Sequence, residues 1–185
     1  MQEMATIVKK LTYADYEKMP TDGFRHEIIE GEEYMTPAPN PDHQTIVGNA
    51  FRLVANHVVT RNLGRVFVAP TDVVLGKHDI VEPDIFFIAR KHLSIIGPNN
   101  IQGAPDLVVE VLSPSTAGQD KGSKSALYER AGVREYWIVD GASQTFEIRE
   151  FGSPRRTRVY KGGQSFQSDL LPGLTLSLED LFSAE

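Results

Sequence analysis

The 185-residue sequence contains no cysteine. A disulfide framework and any thiolate metal site are therefore excluded, and a metal would have to sit on oxygen or imidazole ligands; a reducing cytoplasm is the natural setting. No stretch approaches the roughly 20 apolar residues of a membrane span, and residues 1–10 hold no apolar run of signal-peptide length. Neither membrane insertion nor export is expected. A basic surplus is missing too: 19 Lys and Arg stand against 25 Asp and Glu, a formal net charge of −6. Because phosphate neutralisation favours a basic footprint, this balance argues against a nucleic-acid ligand unless cations gather locally. Two such gatherings exist, Arg155, Arg156, Arg158 and Lys161, and Lys121, Lys124, Arg130 and Arg134. Each is also readable as solvated surface charge. Internal repeats, low-complexity tracts and linkers are absent. What remains is ordinary globular composition, 41% hydrophobic and 24% charged, in a length that fits one domain over residues 1–185.

Thr12 followed by Asp15 marks a helix start, with a short helix over Tyr13 to Met19 that ends at Pro20. His26 to Met35 reads as two strands about a turn near Gly31. Asn40 can cap a helix with Pro41 in its first position, and Ile46, Val47, Ala50, Leu53, Val54 and Val58 then recur at helical spacing. Strand patterns follow at Val66 to Ala69, Val73 to Leu75 and Val81 to Ile88, the last interrupted by Pro83. The long loop Arg90 to Gly103 is a candidate substrate contact. Asp106 to Leu112 is a nearly continuous apolar run, the pattern of a strand covered on both faces. A helix from about Gln119 to Ala131, stopped at Gly132, leads into a strand at Glu135 to Val139, so the two strands are expected to be parallel neighbours. A β-meander and a terminal helix near Leu178 to Phe182 complete an α/β chain.

The unusual feature is acid inside strands, where an unpaired charge is costly to desolvate. The two-residue period puts Glu82 and Asp84 on one face, and Asp106, Val108 and Glu110 on one face. If these strands pair so that Asp84 and Glu110 converge, a cation is the economical way to hold both, and hard oxygen ligands suit Mg²⁺ or Mn²⁺. The bland alternative is that each acid is paired with an arginine or lysine. On the following helix Asp120, Lys124 and Tyr128 stand four residues apart on one face. Lys124 could orient a water or stabilise charge on a phosphorane; it could equally form an i,i+4 salt bridge on a wet face.

These residues resemble the PD-(D/E)XK nuclease superfamily, and within it the Uma-type restriction endonuclease family. The resemblance covers nearly the whole chain and is carried by Arg25 to Gly31, Pro39 to His43, Glu82-Pro83-Asp84, Pro105 to Thr116, Asp120 with Lys124 and Tyr128, and Gly132 to Trp137. It implies a restriction-endonuclease-like fold with a mixed central β-sheet flanked by helices, and Mg²⁺- or Mn²⁺-dependent cleavage of nucleic acid, with DNA the expected substrate. Asp84 and Glu110 match the metal-binding acids, and the carbonyl of Val111 would assist. The superfamily lysine normally stands two residues after the second acid, where this chain has Leu112; Lys124 takes its place, with Lys121 the fallback. Glu27 matches an additional acid near the metal, Asp120 and Tyr128 would support the site, and His43 is similar to a recurrent residue without an assigned role. A double-strand cut needs two active sites, so a homodimer is expected. Two rival functions remain open: a nuclease-like fold that binds DNA or protein without cutting, and a metal-dependent hydrolase of a small phosphorylated molecule.

Overall fold

The computed structural model describes residues 9–184. Chain order is α1 (Tyr13–Tyr16), β1 (Arg25–Ile29), β2 (Glu32–Thr36), α2 (Pro41–Thr60), β3 (Gly64–Val68), β4 (Val73–Gly76), β5 (Asp79–Val81) and β6 (Ile85–Ala89). There follow β7 (Ile101–Gln102), β8 (Leu107–Val111), α3 (Ala117–Gln119), α4 (Ser125–Ala131), β9 (Glu135–Asp140), β10 (Thr145–Glu150) and β11 (Arg156–Lys161). A small hairpin, β12 (Ser165–Gln167) with β13 (Thr175–Ser177), precedes α5 (Leu178–Phe182). The central sheet is mixed, in the order β11-β10-β9-β8-β6-β3, with β8 and β9 parallel. A second sheet runs β2-β1-β5-β4-β7.

Alternation along β6 and β8 divides the core. Ile85, Phe87, Leu107, Val109 and Val111 face the buried side of α2, where Ile46, Val47, Ala50, Val54 and Val58 lie. Phe86, Ile88 and Val108 face the opposite way, toward α4 and the second sheet. Each such aliphatic side chain contributes roughly 1.5–3 kcal/mol by leaving water. Helix α2 begins as its sequence implies, with the Asn40 side chain accepting from the His43 N–H and Pro41 in the first turn. The β1–β2 turn uses Glu30 (φ 56) and Gly31 (φ 87), the two positive φ values of a tight hairpin.

Three local expectations change. The run Val81 to Ile88 is two strands in two sheets: Pro83 cannot extend a ladder, and Glu82-Pro83-Asp84 carries the chain from β5 in one sheet to β6 in the other. Helix α1 stops at Tyr16 rather than Met19: the chain beyond it tightens into a turn in which the Lys18 and Met19 N–H groups donate to the carbonyls of Asp15 and Tyr16, three residues back. The segment Arg90 to Gly103 is not structureless: it forms a 3₁₀ turn over Arg90–Ile95, and β7 within it pairs in parallel with β4. No helix among the described residues is long and apolar enough to cross a membrane.

Candidate active site

Antiparallel pairing of β6 with β8 sets Ile85 opposite Val109, and so brings Asp84, just before β6, level with Glu110. The two acids are joined through backbone: the Asp84 N–H donates to Glu110 Oε2 (3.3 Å) and the Val111 N–H to Asp84 Oδ2 (2.9 Å). Both are almost fully buried, at 3% and 2% exposure.

From the opposite side comes the helical segment after β8. α3, a π-helical turn (Asp120–Lys124) and α4 run on continuously, and the wider turn sits where Asp120 and Lys124 are buried. Lys124 Nζ lies 2.8 Å from Glu27 Oε2, 3.0 Å from Glu110 Oε1 and 3.6 Å from Asp120 Oδ1. The Tyr128 hydroxyl donates to Glu110 Oε1 (2.7 Å). Thus the i,i+4 row faces the protein interior and not a wet surface. Lys121, by contrast, is exposed; its carbonyl accepts from Arg149 and its charge acts on Asp140, away from the pocket. Glu27 reaches the site from β1 of the second sheet and also accepts the Glu82 N–H (2.9 Å).

Two more groups close the pocket over Asp84. His43, in the first turn of α2, has Nε2 2.9 Å from the Val111 carbonyl and 3.3 Å from Asp84 Oδ2. The first contact makes Nε2 the protonated ring nitrogen. Arg25 donates to Asp84 Oδ1 (2.9 Å) and to the Glu82 carbonyl (3.2 Å). Arg25 lies within a motif that carries the family resemblance, yet sequence reasoning gave it no role. The available signal was the two-residue period that places it on the face of Glu27. It also means that the ion-pair alternative holds for Asp84 taken singly.

For the group as a whole that alternative fails by count. Glu27, Asp84, Glu110 and Asp120 are four buried acids; Arg25 and Lys124 are two permanent cations, leaving two acids without a compensating charge. The consequence is visible in proton affinity. Burial pushes Glu110 up to about 8, with the Asp84, Asp120 and Glu27 charges adding to it against Lys124. Asp84 goes the other way, to about 2: burial alone would raise it, but the His43 hydrogen bond and the Arg25 charge outweigh that. Burial would strip the proton from Lys124, yet Glu110, Glu27 and Asp120 hold it firmly as an ammonium. These side chains line a cavity of about 160 Å³ together with Asn40, Ser113 and Thr116.

No group of three or more His, Asp or Glu side chains among the described residues converges as a ready-made metal cage. The donors present are two carboxylates and the Val111 carbonyl. That set suits Mg²⁺, which is commonly held by one or two carboxylates with water and substrate phosphate completing its shell. An acid surplus of two is the matching electrostatic signature.

A family model described as "Uma2: Putative restriction endonuclease" matches residues 13–179. The chain belongs to the Uma2 family. A curated relative, an uncharacterized protein of Synechocystis, is 28% identical over 145 residues, covering 76% of this chain and 80% of its own. A crystal structure of "a putative nuclease belonging to DUF820" from Anabaena variabilis superposes with a TM-score of 0.79 at 22% identity, over 93% of this chain and 97% of that one. The fold is therefore the expected α/β, restriction-endonuclease-like one, a mixed sheet flanked by helices.

Other expectations map away from the pocket in this Uma2 member. The Arg90 to Gly103 segment follows the far end of β6 and lines no part of the cavity. The basic gatherings are largely spent on neighbours: Arg155 meets Glu129, Arg156 meets Asp169, Arg158 meets Glu150, and Arg130 meets Glu30 and Asp79.

Proposed function

We propose that this protein is a Mg²⁺- or Mn²⁺-dependent endonuclease that hydrolyses phosphodiester bonds in nucleic acid, with DNA as substrate. The observation that carries the reading is the juxtaposition of buried Asp84 and Glu110 across β6 and β8, with the Lys124 ammonium against Glu110. Asp84, Glu110 and the Val111 carbonyl would hold the cation, which supplies a bound water of lowered pKa and neutralises phosphate charge.

The protein's own groups do the rest. Lys124, held as an ammonium, acts as a donor: it orients the attacking water or stabilises the negative charge that develops on the phosphoryl oxygens. Glu27 fixes Lys124 from the second sheet, and Tyr128 fixes Glu110, so the amine and the acid are positioned before substrate arrives. Arg25, which donates to Asp84, offers a second permanent cation to the phosphate. As the water oxygen bonds to phosphorus it gives up a proton to solvent, one P–O bond to sugar breaks, and the departing oxygen takes up a proton from solvent. A symmetric dimer belongs to this proposal where both strands are cut.

The test is incubation of the purified protein with supercoiled plasmid and with short single strands, in Mg²⁺, Mn²⁺ or EDTA. Cleavage in the metals and none in EDTA is the expected result. A second reading, a nuclease-like fold that binds without cutting, draws on the Arg25–Asp84 contact; retained oligonucleotide with intact strands in every metal would favour it. Absence of both binding and cutting would leave the hydrolysis of a small phosphorylated molecule.

A further inference from the structure

The acid pocket does not end at His43. Pro39, Asn40, His43, Val111 and Ser113 form a wall that it shares with a second, larger cavity of about 400 Å³. The two differ in chemistry. The first contains Lys124, Arg25 and the four acids of the cluster; the second is lined by no lysine or arginine among the described residues, and by Asp42 as its one acid. Its surface is mostly apolar, from Ile46, Leu112, Pro114, Ala142 and Phe182, with amide and hydroxyl groups of Asn40, Thr45 and Gln144 around it. The shared wall also carries a buried ring nitrogen, His43 Nδ1, that has no hydrogen-bond partner.

A nucleotide presents two chemically distinct parts, an anionic phosphate and a flat, uncharged base with amide-like edges. A site without cations disfavours the first; an apolar chamber with an aromatic ring and a few amides suits the second. We propose that the second cavity is a nucleobase subsite, which receives an unpaired base next to the phosphate held in the acid pocket. The inference rests on the nuclease reading for its register, and it adds a substrate class: strands that are single, or that can turn one base out of the stack. A paired base is locked in the duplex and cannot enter a chamber of this kind, so fully paired DNA is the poorer ligand.

The test uses the full chain in EDTA and a fluorescein-labelled single-stranded hexadeoxynucleotide, together with six versions that each lack one base. Binding is read by anisotropy, and cleavage of the same oligonucleotides is read separately in Mg²⁺. One abasic position is expected to weaken binding roughly tenfold while the others have little effect. Two cavity-filling variants, Ala142→Leu and Thr45→Leu, both at exposed positions where folding tolerates change, are expected to bind the intact strand as weakly as wild type binds that abasic one. The proposal is overturned if all six abasic strands bind like the parent, if both filled variants keep wild-type affinity, or if no strand binds. The two readings fail separately. Base-dependent binding without cleavage would remove the nuclease and keep the subsite; cleavage indifferent to the missing base and to both fillings would do the reverse.

Discussion

Strands β6 and β8 are each entered through the same dipeptide, Pro83-Asp84 and Pro105-Asp106, and their antiparallel pairing sends the two aspartates to opposite ends of the sheet. Both are buried, yet their surroundings differ. Asp106 accepts the Ala89 N–H (2.8 Å), sits 3.0 Å from His92 Nδ1 and has Arg134 at 3.8 Å; no second acid among the described residues bonds to it. Asp84 meets Glu110, in a cavity with two further acids. One aspartate is a staple whose demands are met by donors. The other belongs to an acid cluster that its own protein under-neutralises. A Pro-Asp pair therefore says little about chemistry; what lies across the ladder decides.

The comparison breaks first on activity. Asp84→Ala is expected to reduce strand cleavage at least about 10³-fold with the fold retained, a loss of the size seen when a group acting on developing charge is removed. Asp106→Ala should leave the rate per folded molecule unchanged. Equal losses in both variants would refute the assignment of the two ends.

Lys124→Met sharpens the same contrast, because the site end depends on its cation as the far end does not. Cleavage should fall about 10²-fold or more, and stability by about 3–5 kcal/mol, since three acids lose their common partner. Adding Glu110→Gln to Lys124→Met should recover part of that stability and none of the activity, read as a double-mutant cycle by urea unfolding. Asp106→Ala comes next, with a cost of about 2–4 kcal/mol from its lost buried hydrogen bonds, and its unfolding midpoint should rise with Mg²⁺ as that of wild type does, because the site end is intact.

How much of this was legible beforehand follows from whether the signal was local. Helix α2 announces itself through Asn40, Pro41 and a 3.6-residue apolar period, all within one segment. Glu110 stood out because an acid in a strand of buried aliphatics has few reasons to be there. The division of Val81 to Ile88 between two sheets was not legible, since sheet membership depends on partners far away in sequence. Arg25 was missed for the same reason: it reaches Asp84 only because the second sheet packs against the first at Pro83. The π turn at Asp120–Lys124 carries no composition signal, although the spacing of Asp120, Lys124 and Tyr128 anticipated the row that faces Glu110.

The smallest effect tests whether the site end is itself two-sided. Along β1, Arg25 and Glu27 turn to the pocket while His26 between them turns away, with Nε2 3.0 Å from Asp22 and Nδ1 2.7 Å from Glu33. The hydrogen bond to Asp22, then that to Glu33, raises the His26 pKa above its ordinary 6.5. A folded value above the unfolded one means stability that is fully present below about 6.5 and is lost as pH rises through the folded value. The melting-temperature gap between wild type and His26→Gln should therefore be widest near pH 6 and narrow as pH rises toward the folded value. It should not exceed about 2 °C, because both carboxylates are partly exposed and screened. A gap that stays constant over this range would mean that the histidine titrates alike in the folded and the unfolded protein. A fall in cleavage rate at fixed pH would mean that the two faces of β1 are coupled, and the separation of pocket from scaffold drawn here would have to move one strand further out.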